Sequence, residues 1–291
     1  MLYSGVMVFI FNDSLFSYYF YLMSLLFPLY LIINCILGYL GYKEEDELFL
    51  YGNRKVNALK FLVKIFFIPF IYGSLFICIN KILLIEKFIL NELDYFFYLF
   101  GLTIDVLIAL FGYVFTSRWL DNKIISVDDS LRGWFICIIC YPLFLFFYKI
   151  LLSQVDNYTW KSWAVGNWYY YPWMILVIFF WLLYWFSHAH FGFKFSNLTW
   201  RGLVDEGLYR YFKHPAYLFK NIYWWLYTIP FFCVVGYDLF TNISVLILIN
   251  LIYYFRAKTE ENHLRKFKEY REYEKKLKNT GFFSRFNKYV F

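Results

Sequence analysis

The feature that most constrains this chain is a series of continuous apolar runs. Each is about as long as the roughly 20 helical residues that cross a bilayer core. Seven runs pass that test, at roughly 15–42, 57–85, 94–117, 131–153, 167–190, 216–236 and 239–256. They are apolar throughout rather than alternating. They therefore read as helices, one of the two structures that satisfy every backbone polar group in lipid, and strands are not expected in them. Runs six and seven are joined tightly around Gly236-Tyr237-Asp238, which predicts an antiparallel hairpin. The expected fold class is an all-α integral membrane protein with about seven transmembrane helices. Composition agrees: 62% of the residues are hydrophobic and 17% charged, against about a quarter charged in a soluble domain.

Basic residues predict an orientation. None precedes Lys43. They then gather in alternate loops: Lys43, Arg54, Lys55 and Lys60; Arg118, Lys123 and Arg132; Lys194, Arg201, Arg210 and Lys213. The turn between runs six and seven has none. By the positive-inside rule the N-terminus lies outside and the C-terminus in the cytoplasm. The formal net charge is +7, and the stretch from Arg256 onward holds eleven Lys and Arg against five Glu. Such a tail suits an anionic cytoplasmic leaflet, and equally an ordinary positive-inside topology. Nothing in this pattern calls for nucleic acid. The first residues lack a basic region and a small-residue cleavage site, so no cleavable leader is expected.

Residues 257–278 read as a polar helix with an apolar stripe at Leu264, Phe267, Tyr270 and Leu277, ended by Asn279-Thr280-Gly281. This tail helix docks under the bundle or lies in the interface. A boundary near 120 divides an N-terminal transmembrane region, 1–120, from 121–291, which carries the polar motifs. Aromatics make up 27% of the chain; they suit interfacial belts and carry no specific chemistry by number alone. Cys35, Cys78, Cys137, Cys140 and Cys233 all sit in apolar runs. Even the Cys137-x-x-Cys140 pair, filled by Ile138 and Ile139, reads as helix packing rather than a metal or redox site.

Three polar clusters interrupt the apolar pattern. The first is Ser187-His188-Ala189-His190 with Ser196 through Gly202. The second is Gly207 through Tyr217. The third runs from Arg256 through Glu261. Such density at a membrane edge is costly unless it binds something. The hairpin places the second and third clusters at one depth, so a pocket there would hold an imidazole, a lysine, an arginine, two carboxylates and tyrosines. His188 and His190 lack a third ligand at recognisable spacing, and no metal is expected. Asp105, inside the third run, is either a functional carboxylate or a hydrogen-bond partner of a neighbouring polar group. No Gly-x-Gly cofactor loop is present, which excludes a soluble dinucleotide-type methyltransferase fold.

The sequence Gly207-Leu208-Tyr209 followed by Lys213-His214-Pro215-Ala216-Tyr217 resembles the Gly-x-Tyr … Arg-His-Pro-x-Tyr motif of isoprenylcysteine carboxyl methyltransferases and related phospholipid N-methyltransferases. Lys213 stands where that family usually has Arg. Arg256 with Thr259-Glu260-Glu261, then Leu264, Phe267, Tyr270 and Tyr273, is similar to the family's Arg … Glu-Glu … Leu … Tyr tail. Lys278 through Phe283 resembles its short Pro-Thr-Gly-x-Pro-Phe element. The resemblance covers roughly 190–283 and implies a membrane enzyme that transfers a methyl group from S-adenosylmethionine to a lipophilic acceptor, a lipid or lipidated molecule reaching the site from the bilayer.

Carried over residue by residue, the resemblance implies that His214 donates a hydrogen bond to the cofactor. Tyr209 and Tyr217 line its cleft, and Glu260 and Glu261 hold its α-amino group or ribose hydroxyls. Lys213 and Pro215 belong to the same motif, Pro215 at a first helical turn that needs no N–H. Arg256 would orient an acceptor carboxylate or phosphate and is the expected catalytic residue. Plainer readings stand beside these: acids at the start of a tail helix, a snorkelling arginine, a lysine in a basic loop. Isoprenylcysteine carboxylate is the nearest acceptor, with phospholipid N-methylation as the alternative. An NADPH-dependent sterol-type reductase and a non-catalytic membrane protein or transporter are the rival functions.

Overall fold

The computed structural model describes residues 28–29, 32, 54–85, 90–114, 121–140, 159–229 and 236–282. Over these it is mostly helical: α1 Arg54–Leu83, α2 Leu93–Val114, β1 Ser126–Val127, α3 Leu131–Ile139, α4 Trp160–Ala164, α5 Tyr170–Ala189, β2 Thr199–Trp200, α6 Pro215–Thr228, α7 Tyr237–Leu264 and α8 Lys268–Thr280. Three helical stretches are long and apolar enough to cross a membrane: Leu90–Val114, Tyr170–Ala189 and Asp238–Leu264. They match the expected runs three, five and seven.

The other runs fare differently. Lys60 and Lys64 interrupt the first half of α1, leaving Phe70–Leu83 as its apolar part. α6, expected to span 216–236, is a 14-residue helix, about 21 Å at 1.5 Å per residue, and residues 230–235 lie outside the described residues. So do nearly all of the 15–42 run and the 141–153 part of the fourth, together with Cys35, Cys233 and Phe283.

The chain divides into two compact units. The first comprises 1–86, 102–143 and 191–202. Its core is built from Val63, Phe67, Ile68 and Ile71 of α1, Ala109 and Tyr113 of α2, and Ile124, Val127, Cys137 and Leu198. The two short strands pair antiparallel, Ser126 with Trp200 and Val127 with Thr199. They lie in the polar segments, outside the apolar runs where strands were not expected. Asn197 donates through its backbone N and Nδ2 to the Tyr113 hydroxyl at 2.6 and 3.0 Å, and Arg201 donates to the Asn122 carbonyl at 2.7 Å. Cys78, Cys137 and Cys140 are free thiols, and the first two are buried. Asp105 lies in the part of α2 that belongs to this unit.

The second unit comprises 87–101, 144–190 and 203–291. α5 and α6 pack side by side through aromatic residues. Trp181 lies against Tyr223 with ring centroids 4.8 Å apart, and Trp173 Nε1 donates to the Leu226 carbonyl at 3.0 Å. Trp181 Nε1 also donates to the Phe97 carbonyl at 3.1 Å. At Trp173 and Trp181 a ring in the packing also has its N–H satisfied, which supplies both area and orientation.

α7 corrects the expectation of a separate helix from 257. It runs uninterrupted through Arg256 to Leu264, and α8 starts only at Lys268. No Gly or Pro lies between Tyr237 and Leu264, and the i,i+4 pairs Arg256–Glu260 and Glu261–Arg265 favour continued helix. The break at 265–267 is stabilised by Arg271, whose Nη1 donates to the Arg265 and Lys266 carbonyls at 2.7 and 3.1 Å. α8 then buries Tyr270, Tyr273 and Leu277 as one stripe and ends at Thr280, where the Gly281 N–H meets the Leu277 carbonyl at 2.8 Å. Leu264 therefore belongs to α7, not to the stripe of the tail helix.

Candidate functional site

The start of α6 and the polar end of α7 meet within the second unit. His214 is the N-cap of α6 and Pro215 occupies its first turn, where a missing N–H leaves nothing unpaired. One turn on, the Tyr217 ring lies nearly parallel to the His214 imidazole, with centroids 5.6 Å apart and planes 12° apart. From α7, the Arg256 guanidinium stands 5.4 Å from the centre of the Tyr217 ring and its Nε donates to Glu260 Oε1 at 3.2 Å. The Tyr217 hydroxyl donates to the same Glu260 oxygen. Arg256, Tyr217 and Glu260 thus form a closed triangle, with Arg256 buried and Glu260 partly open.

Glu261 faces the other way. Only 3% exposed, it accepts from His214 Nε2 at 3.2 Å and lies 3.6 Å from Lys213 Nζ through Oε1. Its Oε2 accepts from Lys258 Nζ at 3.2 Å and Arg265 at 2.9 Å. An ionised carboxylate only accepts, so the Glu261 contact assigns the His214 proton to Nε2. Nδ1 then lies 4.0 Å from Glu260 Oε2, beyond hydrogen-bonding distance. Glu260 Oε2 and His214 Nδ1 are the atoms of these two side chains that the contacts above leave unused.

Behind Glu261 the ladder continues. Arg265 grips Glu274 with Nε on Oε2 at 2.9 Å and a terminal nitrogen on Oε1 at 2.8 Å, and Lys213 Nζ meets Glu274 Oε1 at 2.8 Å. Burial pushes the Glu274 carboxyl up. The hydrogen bonds and charges of Arg265 and Lys213 outweigh this and hold it below the ordinary carboxylate range. α8 is pinned beneath the 207–212 segment: the Tyr273 hydroxyl donates to the Tyr209 carbonyl at 2.8 Å, and the Phe282 N–H to the Tyr211 carbonyl at 2.9 Å. The Tyr270 hydroxyl is buried without a hydrogen-bond partner among the described residues. Burial, then the charges of Glu261 and Glu274, push it up and keep it protonated.

The structure thus brings Lys213, His214, Tyr217, Arg256, Glu260 and Glu261 into one cluster. Pro215 fixes the helix start. Tyr209 is buried, and its carbonyl anchors α8. Gly207 has a local reason: φ is +56°, and a Cβ there would stand 1.8 Å from His190 Nε2. His190 is held by a 2.7 Å contact between Nδ1 and the Phe186 carbonyl, and His188 packs on Tyr184. Their ring contacts are with α5 residues, Tyr184 for His188 and Phe186 for His190. Ser196 through Gly202 belongs to the first unit.

Sequence reasoning missed Arg265 and Glu274, which look like ordinary charges of a solvated tail. It also missed Tyr253, which packs against Tyr217 at 5.5 Å; its position one turn before Arg256 on α7 was the available signal. No curated protein and no solved structure matches the chain. One family does, over a stretch that begins in α5 and ends just past α7, taking in every cluster residue named from the sequence: residues 173–266 match the isoprenylcysteine carboxyl methyltransferase (ICMT) family.

Proposed function

We propose that this protein is an integral membrane methyltransferase that uses S-adenosylmethionine to methylate a lipophilic acceptor, nearest to an isoprenylcysteine carboxylate. The observation that carries the reading is the Tyr217–Glu260–Arg256 triangle backed by the His214–Glu261 pair, built inside the stretch that matches the family. Methyltransferases of that family use S-adenosylmethionine; when bound, it supplies a methyl group already activated on a sulfonium.

The donor set fits such a molecule. Its amino-acid part carries an ammonium and a carboxylate, and the cluster offers both signs of charge. Glu260 Oε2 accepts from the ammonium or a ribose hydroxyl. His214, oriented by Glu261 as an Nε2–H tautomer, presents Nδ1 to a ligand donor. The buried Tyr270 hydroxyl supplies a further polar atom. Arg256, held on the Tyr217 face, steadies the acceptor's charge. With an activated methyl group, the protein's main tasks are alignment and exclusion of water. A carboxylate acceptor is already nucleophilic and asks for little general-base help; a phospholipid amine must first lose a proton. The polar cluster faces the cytoplasm, as the distribution of basic residues suggests.

The test is a titration of the detergent-purified protein with S-adenosylhomocysteine and with NADPH. The expected result is saturable binding of S-adenosylhomocysteine only, weakened about tenfold or more in both His214→Ala and Glu260→Ala. Binding of NADPH alone would point to a reductase. Binding of neither would leave a non-catalytic membrane protein.

A further inference from the structure

α8 has two faces of different chemistry. Its inner face buries Tyr270, Tyr273 and Leu277. Beside them Glu274 holds Lys213 and Arg265. Its outer face carries Lys268, Arg271, Lys275 and Lys278, all exposed. Steps of three or four residues place these four within an arc of about 80°, at 100° per residue, away from the buried stripe. Lys275 and Lys278 have no acidic partner among the described residues. Arg271 donates to two backbone carbonyls and keeps its charge. Lys268 lies 3.8 Å from Glu272, with both side chains well exposed. The outer stripe is therefore of one sign, whereas a solvated helix face commonly alternates signs along its length. The positive-inside rule concerns how many basic residues flank a span, not their sorting onto one face.

The stripe also stands close to the membrane edge. α8 folds back along the segment that enters α6: the Tyr273 hydroxyl reaches the Tyr209 carbonyl, Glu274 reaches Lys213, and the Phe282 ring packs 5.2 Å from that of Phe212. Attraction to charged headgroups needs proximity within a screening length of about 8 Å rather than insertion. We propose that this outer face of α8 docks on anionic lipid headgroups, and that docking is coupled through Glu274 to the His214–Glu261 pair.

Two observations favour a lipid surface over a soluble acidic partner. α8 follows directly on a stretch able to cross a membrane, with only residues 265–267 between, the position at which basic clusters meet anionic headgroups. Phe282, just past the helix, is 61% exposed, and an aromatic ring suits the headgroup boundary. The coupling has a visible route. One terminal nitrogen of Arg265 donates to Glu274 at 2.8 Å and to Glu261 at 2.9 Å, and Glu261 orients His214. A surface that binds α8 in its docked position stabilises that position, and with it the cluster. The coupling rests on the methyltransferase reading for its effect on the cofactor; the docking does not.

The experiment places the full chain in nanodiscs of phosphatidylcholine alone, or of phosphatidylcholine and phosphatidylserine in equal parts. The wild type is compared with the triple variant Lys268→Gln/Lys275→Gln/Lys278→Gln and with the corresponding triple Lys→Arg variant; Arg271 is left intact as a cap. Hydrogen exchange over 268–280 and S-adenosylhomocysteine affinity are read for each. Phosphatidylserine is expected to slow exchange in the wild type by about fivefold or more and to raise S-adenosylhomocysteine affinity. Salt at about 1 M, where the screening length is about 3 Å, should remove both effects. The Gln variant should exchange alike in the two discs, and the Arg variant should respond as the wild type does. An equal response in wild type and Gln variant overturns the proposal. So does no response in the wild type, or protection of α8 by soluble polyglutamate but not by phosphatidylserine. Lysine-dependent protection with unchanged S-adenosylhomocysteine affinity overturns the coupling. If S-adenosylhomocysteine binds in neither disc while protection still depends on the lysines, the methyltransferase reading falls and the docking surface stands.

Discussion

Glu260 and Glu261 are chemically identical neighbours with different tasks, because one residue of helix turns them apart by about 100°. Glu260 joins Tyr217 and Arg256 and keeps an oxygen open. Glu261 is enclosed by His214, Lys213, Lys258 and Arg265. The pair was legible in the sequence as two acids near a histidine motif; which acid is open and which is enclosed depended on the helix phase. Gly207 was legible only as a motif letter. Its reason is steric, since the positive φ and the His190 imidazole leave no space for a side chain. Gly207→Ala is expected to destabilise the protein by about 1–2 kcal/mol from the left-handed backbone alone, with displacement of His190 adding to it. Thermal unfolding in detergent checks this, and an unchanged midpoint would contradict it.

At the scale of elements, the main departure from expectation is where the hinge lies. The polar residues after Phe255 suggested that the membrane helix ended there. Ion pairs spaced i,i+4 instead carry α7 on to Leu264, and the bend falls where Arg271 caps the freed carbonyls. Such a cap depends on the side chain of a later helix, so a local pattern did not reveal it. α8 docks through Tyr273, Phe282 and the Arg265–Glu274–Lys213 bridge. Glu274→Gln is expected to loosen α8 by about 1 kcal/mol, read as faster hydrogen exchange over 268–280 with S-adenosylhomocysteine affinity lowered less than in His214→Ala. The pH dependence has a definite sign. The folded carboxyl of Glu274 is depressed, so its contribution is fully present above the ordinary carboxylate value near 4.3. It is lost as pH falls through the lower folded value. Exchange over α8 should therefore rise below about pH 4 in the wild type and respond much less to pH in Glu274→Gln.

On the scale of the whole molecule, the apolar runs announced a helical membrane protein, and three stretches meet that description by length and composition. The count of seven does not follow as directly, since α6 is short and Lys60 and Lys64 divide α1. The division into units was less legible, because α2 and the 191–202 segment are assigned by contacts distant in sequence. If the polar end of α7 faces the cytoplasm, a cysteine placed at exposed Lys268 should react with an impermeant maleimide in inside-out vesicles. It should stay unlabelled in intact cells; the reverse pattern would invert the proposed orientation.

Tyr253, Arg256 and Glu260 recur at i, i+3 and i+7 on α7, a stripe about 10 Å long. Read along the axis, it presents an aromatic face, then a positive charge, then a negative one. Tyr253 and Arg256 are almost fully buried, so this gradient is read inside the protein by one side chain: the Tyr217 ring meets Tyr253 and Arg256, and its hydroxyl meets Glu260. A single tyrosine thereby fixes how α6 and α7 are phased against each other, its apolar ring toward one end of the stripe and its hydroxyl toward the other.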